Sequence, residues 1–357
     1  MKKLLLLLTN YRSFEKIIGC IPELSKHYKL DAYLVGQMST KTKWPGDTDL
    51  RQKFIDDYKE YLDEVILGTG IPGFGHPVND LMAHIDLSKY NGVIYDDNRS
   101  MPQYQIPTFY NACKSKNIPV IGNSHGNQEY TIQHLQSLGS SFDYCFILGK
   151  SEKDFYSKFF DSNKLLLGGL PTNDSLSQYK RGDDYILCIT NFLSNHNPLI
   201  FPVNFDSKWA NILTKLSKKY NKKVVIKQKG RLDDPNYQKN IDFIKTSFNG
   251  YDNIEIVCDT KNIDELIANA SFVISAPSTL AFKPIQMKIP TILISGSGQI
   301  GNFVDYPYLV DLNYDKIDKI LEFIEMDPLL DYLNYTIEGS IEFNSTEKYV
   351  GCIKKII

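Results

Sequence analysis

Short apolar runs alternate with helical patterns along most of this chain, and the series restarts once. Leu4–Leu8, Leu30–Val35, Glu64–Leu67, Gly92–Tyr95, Val120-Ile121 and Tyr144–Leu148 read as strands, with helical patterns over Phe14–Lys26, Asp49–Leu62, Pro107–Lys116 and Glu152–Phe160. A second series has strands at Tyr185–Thr190, Lys223–Lys227, Ile254–Val257, Phe272–Ile274 and Thr291–Ile294. Its helices are Ser207–Lys219, Pro235–Phe248, Ile263–Asn269 and Leu280–Met287. Strands that alternate with helices pair in parallel and are covered on both faces, so they are apolar throughout. Two such series in 357 residues predict two doubly wound, Rossmann-like α/β domains. The expected division is a first domain over 1–174, a polar linker over 175–184, a second domain over 185–335 and a terminal helix over 336–357.

Composition narrows the function. Forty Lys and Arg against 42 acids leave a net charge of −2. No basic excess exists to neutralise a phosphate backbone, so a nucleic-acid partner is not expected. The six cysteines are scattered, without CxxC or other metal spacing, which fits a reduced, cytoplasmic chain. Leu4–Leu8 is too short for a signal peptide and meets polar residues at once; no run reaches the ~18 residues of a membrane span.

In a pair of doubly wound domains, ligand binds in the cleft at the carboxyl ends of the strands. The unusual residues of this sequence follow strands. Ser275-Ala276-Pro277-Ser278-Thr279 sits between a strand and a helix. Free N–H groups and the helix dipole make such a place suitable for phosphate, although a plain N-cap has the same sequence. Lys227, Lys229 and Arg231 gather charge after another strand, where they either meet the same phosphates or form a solvated run. Donor-binding candidates are therefore Lys227, Lys229, Arg231, Ser275, Ser278 and Thr279. His125, in Asn123-Ser124-His125-Gly126-Asn127, can take a proton near neutral pH, or can simply satisfy loop backbone groups. Asp96 and Asp97 are the alternative bases. Asn10, Gly126, Asn127, His196, Gly296 and Gly298 lie on loops that would border the cleft. Gly296, Gly298 and Gly301 match GxGxxG spacing, but no clear helix follows. HExxH is absent, and no residues have metal-ligand spacing. Neither a metal nor a cofactor is expected; helix ends and basic side chains would stabilise the departing phosphate.

With these residues in view, the chain resembles the GT-B superfamily of nucleotide-dependent transferases. Within it, the chain is most similar to the CDP-glycerol glycerophosphotransferase-like group of bacterial wall and capsule enzymes. Ser124-His125-Gly126 resembles that group's His-Gly element, whose His is a proposed base. Gly169-Leu170-Pro171-Thr172-Asn173-Asp174 resembles its turn between domains, and Ser275–Pro290 its donor-binding segment. There are two departures. Lys227-Gln228-Lys229 replaces a His-Pro, and Phe282-Lys283-Pro284 stands where an acid usually faces donor hydroxyls. The resemblance implies a metal-independent glycosyltransferase that moves a sugar from a nucleotide-sugar donor to a glycan, surface-polysaccharide or lipid-linked glycan acceptor. It also implies a terminal helix that crosses back to the first domain. The location expected is cytoplasmic, with peripheral association at the inner face of the membrane. Three other functions stay open: transfer from a CDP-alditol, non-hydrolysing UDP-sugar epimerisation, and non-catalytic binding of glycan or nucleotide.

Overall fold

The computed structural model describes residues 1–8, 16–34, 47–68, 82, 84–95, 106–124, 139, 141–190, 207–228, 241–242, 244–246, 248–257, 262–295, 306–311 and 330–357. They form two compact units. Unit one holds the described residues of 1–174 together with Asn334–Ile357; unit two holds those of 175–333.

Unit one is built on seven parallel strands: β1 (Lys3–Leu8), β2 (Lys29–Leu34), β3 (Glu64–Leu67), β4 (Gly92–Tyr95), β5 (Val120–Asn123), β6 (Tyr144–Ile147) and β7 (Leu165–Leu167). Their spatial order is β3-β2-β1-β4-β5-β6-β7. The leucines of β1 divide between two cores. Leu5 and Leu7 pack with Phe109 and Cys113 of α3 (Ile106–Ser115) and Tyr156 of α4 (Lys150–Tyr156). Leu4, Leu6 and Leu8 pack with Ile21 and Leu24 of α1 (Ile21–Ser25) and Phe54 of α2 (Asp47–Tyr58). The helix expected over Phe14–Lys26 is shorter where it is described. A 3-10 turn, Ile18–Cys20, precedes α1, whose first turn carries Pro22. Proline lacks the N–H that a helix interior needs and so marks a helix start.

Unit two repeats the plan with β8 (Tyr185–Thr190), β9 (Lys223–Gln228), β10 (Ile254–Val257), β11 (Ala270–Ser275), β12 (Thr291–Ser295) and β13 (Leu309–Asp311), all parallel. The order is β10-β9-β8-β11-β12-β13. Ile212, Leu213 and Leu216 of α5 (Ser207–Tyr220) cover one face. Ile267 of α6 (Ile263–Ala268), with Leu280 and Met287 flanking α7 (Phe282–Gln286), covers the other. The stretch 175–184, read as a linker, is fastened to this unit. Gly182 and Asp184 donate N–H to Ala268 and Asn269, and Arg181 donates to the Lys288 carbonyl.

The C-terminal segment contributes α8 (Leu330–Thr336) and α9 (Ser345–Ile356). In α9, Tyr349, Val350 and Ile353 complete the core beneath β1 and β6. The Tyr349 ring stacks on Phe146 at 3.8 Å between centroids. The start of α9 is capped from a distance. Asp174 accepts the N–H of Ser345 at 3.1 Å and of Thr346 at 2.7 Å, two donors a helix leaves unpaired. Burial pushes the Asp174 carboxyl above its ordinary pKa, opposed by the hydrogen bonds from Thr346 and Ser345. Replacing Asp174 with alanine is expected to cost about 1–2 kcal/mol, as loss of a strong N-cap does. Urea denaturation reads this directly, and an unchanged midpoint would remove the capping role. Among the described residues, no helix is long and apolar enough to cross a membrane.

Candidate functional site

Each sheet has one place where the strand order reverses. In unit one the chain builds outward from β1 on one side and from β4 on the other; in unit two the same holds at β8 and β11. The helices that leave such a pair cover opposite faces, which opens a crevice at the carboxyl ends of those strands. The strands that carry the expected site residues lie at or beside these reversals. Asn10 comes after β1, Asp96 and Asp97 after β4, and His125, Gly126 and Asn127 after β5. His196 comes after β8, Lys229 and Arg231 after β9, and Gly296 and Gly298 after β12. All eleven of these residues lie outside the described residues.

Lys227, Ser275, Ser278 and Thr279 are described. Lys227 on β9 and Ser275 on β11 both pair in register with Ile189 of β8. They therefore stand at one level of the rim, two strands apart, and on the same face of the sheet; the Cα spacing is roughly 10 Å. The chain then runs extended through Ser278 (φ −162°, ψ 161°) into a 3-10 turn, Thr279–Ala281, and α7. Ser275 is buried and its hydroxyl donates to the Ala276 carbonyl, so it braces the turn. Ser278 and Thr279 are half-buried, and the Ser278 hydroxyl caps no N–H of the turn. The helix expected over Leu280–Met287 is split, with only five residues truly α-helical. Pro284 fixes an early start and Lys288, at φ +59°, ends it. The dipole here is correspondingly modest, and the N–H groups of the turn itself are the main anion-binding asset.

Unit one carries a buried polar network at the same kind of rim. The Ser124 hydroxyl donates to Glu152 Oε1 at 3.0 Å, and the Leu148 N–H donates to Glu152 Oε2 at 2.7 Å. Lys16 Nζ donates to the Ser124 carbonyl at 2.8 Å. Asn123 donates to the Tyr95 carbonyl at 2.7 Å and accepts from the Tyr349 hydroxyl at 2.8 Å. Burial pushes that phenol well above its ordinary pKa, so it stays a donor. The ends of β4, β5 and β6 are thus tied to α4 and α9. Such networks fix geometry because each unpaired member would be costly. Sequence reading missed Glu152, Lys16 and Tyr349 as parts of this rim. Glu152 looks like an ordinary acid in a first helical turn, and nothing local links it to Ser124. Among the described residues, no three His, Cys, Asp or Glu side chains are grouped to hold a metal ion.

This architecture of two Rossmann-like α/β domains is the GT-B fold. The chain is similar over almost its whole length to several solved structures of that fold. The UDP-GlcNAc 2-epimerase of Neisseria meningitidis, bound to UDP-GlcNAc, matches with a TM-score of 0.65 at 14% identity, covering 99% of this chain and 100% of that one. The UDP-GlcNAc 2-epimerase of Methanocaldococcus jannaschii matches with a TM-score of 0.65 at 12% identity, covering 99% of each chain. A glycosyltransferase from Rickettsia africae matches with a TM-score of 0.61 at 12% identity, covering 99% and 97%. No family model and no curated protein matches. The likeness is therefore one of fold. It supports the GT-B fold and lends no support to the narrower resemblance to the CDP-glycerol glycerophosphotransferase-like group.

Proposed function

We propose that this protein is an enzyme acting on a nucleoside-diphosphate sugar, with the diphosphate held by the N–H groups and hydroxyls of Ser278 and Thr279. The observation that carries this reading is the placement of Ser275–Thr279 at the strand-order reversal of unit two, level with Lys227. Free N–H groups at such a turn and a cation on the same face are complementary to a diphosphate. Metal-independent handling of that phosphate is part of the proposal.

Epimerisation of the sugar is the finer reading that the full-length likeness to UDP-GlcNAc 2-epimerases supports. Glycosyl transfer to a glycan acceptor is the second reading. It is supported by the full-length likeness to a glycosyltransferase. Either reaction needs a base near neutral pH, and His125 is proposed for it. Incubation with UDP-GlcNAc and other UDP- and GDP-sugars, followed by NMR, separates the two. A new epimer without any acceptor supports epimerisation. Turnover only when a glycan acceptor is added supports transfer. Failure to bind any nucleotide sugar overturns both.

Replacing Ser278 and Thr279 together with alanine is expected to weaken UDP binding several-fold, in line with a contact worth about 0.3–2 kcal/mol. Circular dichroism should be unchanged. Equal UDP affinity in the double variant would take the phosphate away from this turn.

A further inference from the structure

Glu152 is 3% exposed, and its carboxylate serves two separate segments of unit one. Oε2 accepts the Leu148 N–H at 2.7 Å, and Oε1 accepts the Ser124 hydroxyl at 3.0 Å. The first bond is local. Glu152 lies in the first turn of α4, whose N-cap is Gly149, and an acid there commonly reaches back to a backbone N–H at the helix start. Capping uses one oxygen. The other crosses 28 residues to the carboxyl end of β5 and does nothing for α4.

The base on which Glu152 stands is fixed. The Leu148 carbonyl accepts the Glu338 N–H at 2.8 Å. At Gly149 the chain passes so close to Thr336 that a methyl group would stand 2.4 Å from its carbonyl oxygen. The residue that Glu152 holds is fixed as well. Ser124 gives its N–H to the Phe146 carbonyl at 2.7 Å and its hydroxyl to Glu152, and its carbonyl accepts from Lys16. β6, α4 and the segment before α1 thus converge on one buried serine. The next residue in the chain is His125. A strand end needs only the bond to its neighbouring strand. Buried side-chain bonds beyond that one fix how the chain departs, and a displacement of about 1 Å at a reacting group can cost about 10²-fold in rate.

We infer that Glu152 is a positioning residue of the reaction: through the Ser124 hydroxyl it sets the point from which His125 leaves β5, without touching the nucleotide sugar itself. The inference rests on the reading of His125 as the base.

Steady-state kinetics of the full chain test it, with UDP-GlcNAc or whichever other UDP- or GDP-sugar the wild type turns over, alongside calorimetric titration with UDP. Ser124→Ala cuts the link and leaves the Leu148 bond; Glu152→Ala removes both. Each should lower kcat by about ten- to a hundredfold, with KM and the Kd for UDP nearly unchanged. Glu152→Gln should restore most of the rate, because its amide oxygen can take the Leu148 N–H while its NH2 donates to the Ser124 hydroxyl. Both residues act along one path. The Ser124→Ala/Glu152→Ala double variant should therefore lose no more than the worse single one, and Ser124→Ala should cost nothing further in a His125→Ala chain. Should Glu152→Ala fail to fold, Ser124→Ala alone decides. A full rate in Ser124→Ala, a loss of UDP affinity that matches the loss of rate, or losses that multiply in the His125→Ala chain overturns the inference while the base reading stands. Near-normal turnover of His125→Ala, or a wild type that turns over none of these sugars, removes the base reading and this inference with it.

Discussion

Alanine in place of His125 is expected to lower turnover of the nucleotide sugar by about 10²–10⁴-fold, the usual worth of a general base, with UDP affinity nearly unchanged. The residue follows Ser124 directly, and Ser124 is held at its hydroxyl by Glu152 and at its carbonyl by Lys16. Asn123, one residue earlier, is held by Tyr349 and by the end of β4. The chain therefore leaves β5 from a rigid point beside the strand-order reversal of unit one. An imidazole with an ordinary pKa of about 6.5 is largely neutral at pH 7.5 and charged at pH 5.5. Activity of the wild type should rise through that interval, and the rise should vanish in the alanine variant. Near-normal turnover in the variant would pass the role to Asp96 or Asp97. A loss of UDP binding together with activity would mark His125 as a ligand contact instead.

Gly169→Ala is expected to destabilise unit one by roughly 2–4 kcal/mol, the range of severe backbone and overpacking changes. Gly169 has φ +64°, a conformation that glycine adopts without penalty. A methyl group there would stand 2.0 Å from the Glu338 carbonyl oxygen and 2.4 Å from Ser345 Oγ. These atoms belong to the turn that starts α9, where the Ser345 hydroxyl donates to the Glu338 carbonyl. Relief would require that turn to move and Asp174 to release its two N–H groups. Gly250 is the internal control: its φ is +86°, but nothing lies within 4 Å of its would-be methyl. Gly250→Ala should cost only the ~1–2 kcal/mol of left-handed backbone. Equal losses for the two variants in urea denaturation would show that the close approach at Gly169 carries no weight.

Much of the fold was legible because buried parallel strands leave continuous apolar runs, and β1 is the clearest. Leu309–Asp311 was not read as a strand, since three residues carry no periodicity. The helix over Phe14–Lys26 was drawn too long because apolar spacing was allowed to outweigh Pro22. Of the candidate site, the placement of Lys227 and Ser275 near the carboxyl ends of their strands was legible, because chain order alone puts residues that end a strand there. Contacts that cross the fold were not. Glu152 meets Ser124 across 28 residues, and Lys283 meets Asp264 across 19. Asp174 ends the first segment of unit one, as a turn between domains would, and its partners lie 171 and 172 residues downstream. Hydrogen bonds between distant segments leave no local pattern, so only coordinates reveal them.

The return of α9 to unit one also sets an order of events during synthesis. Tyr349 closes the core over Phe146 and reaches Asn123 across 226 residues. The first unit to leave the ribosome thus waits, with part of one face of its sheet uncovered, for α9 to emerge. Unit two draws its described residues from 175–333 and can finish while the other waits. Domains of a growing chain usually mature from the amino end; here the sequence reverses that order. A nascent chain stalled before Ser345 should therefore yield protease-resistant unit two and a protease-sensitive unit one, and a chaperone has its longest exposure to the leucine-rich β1.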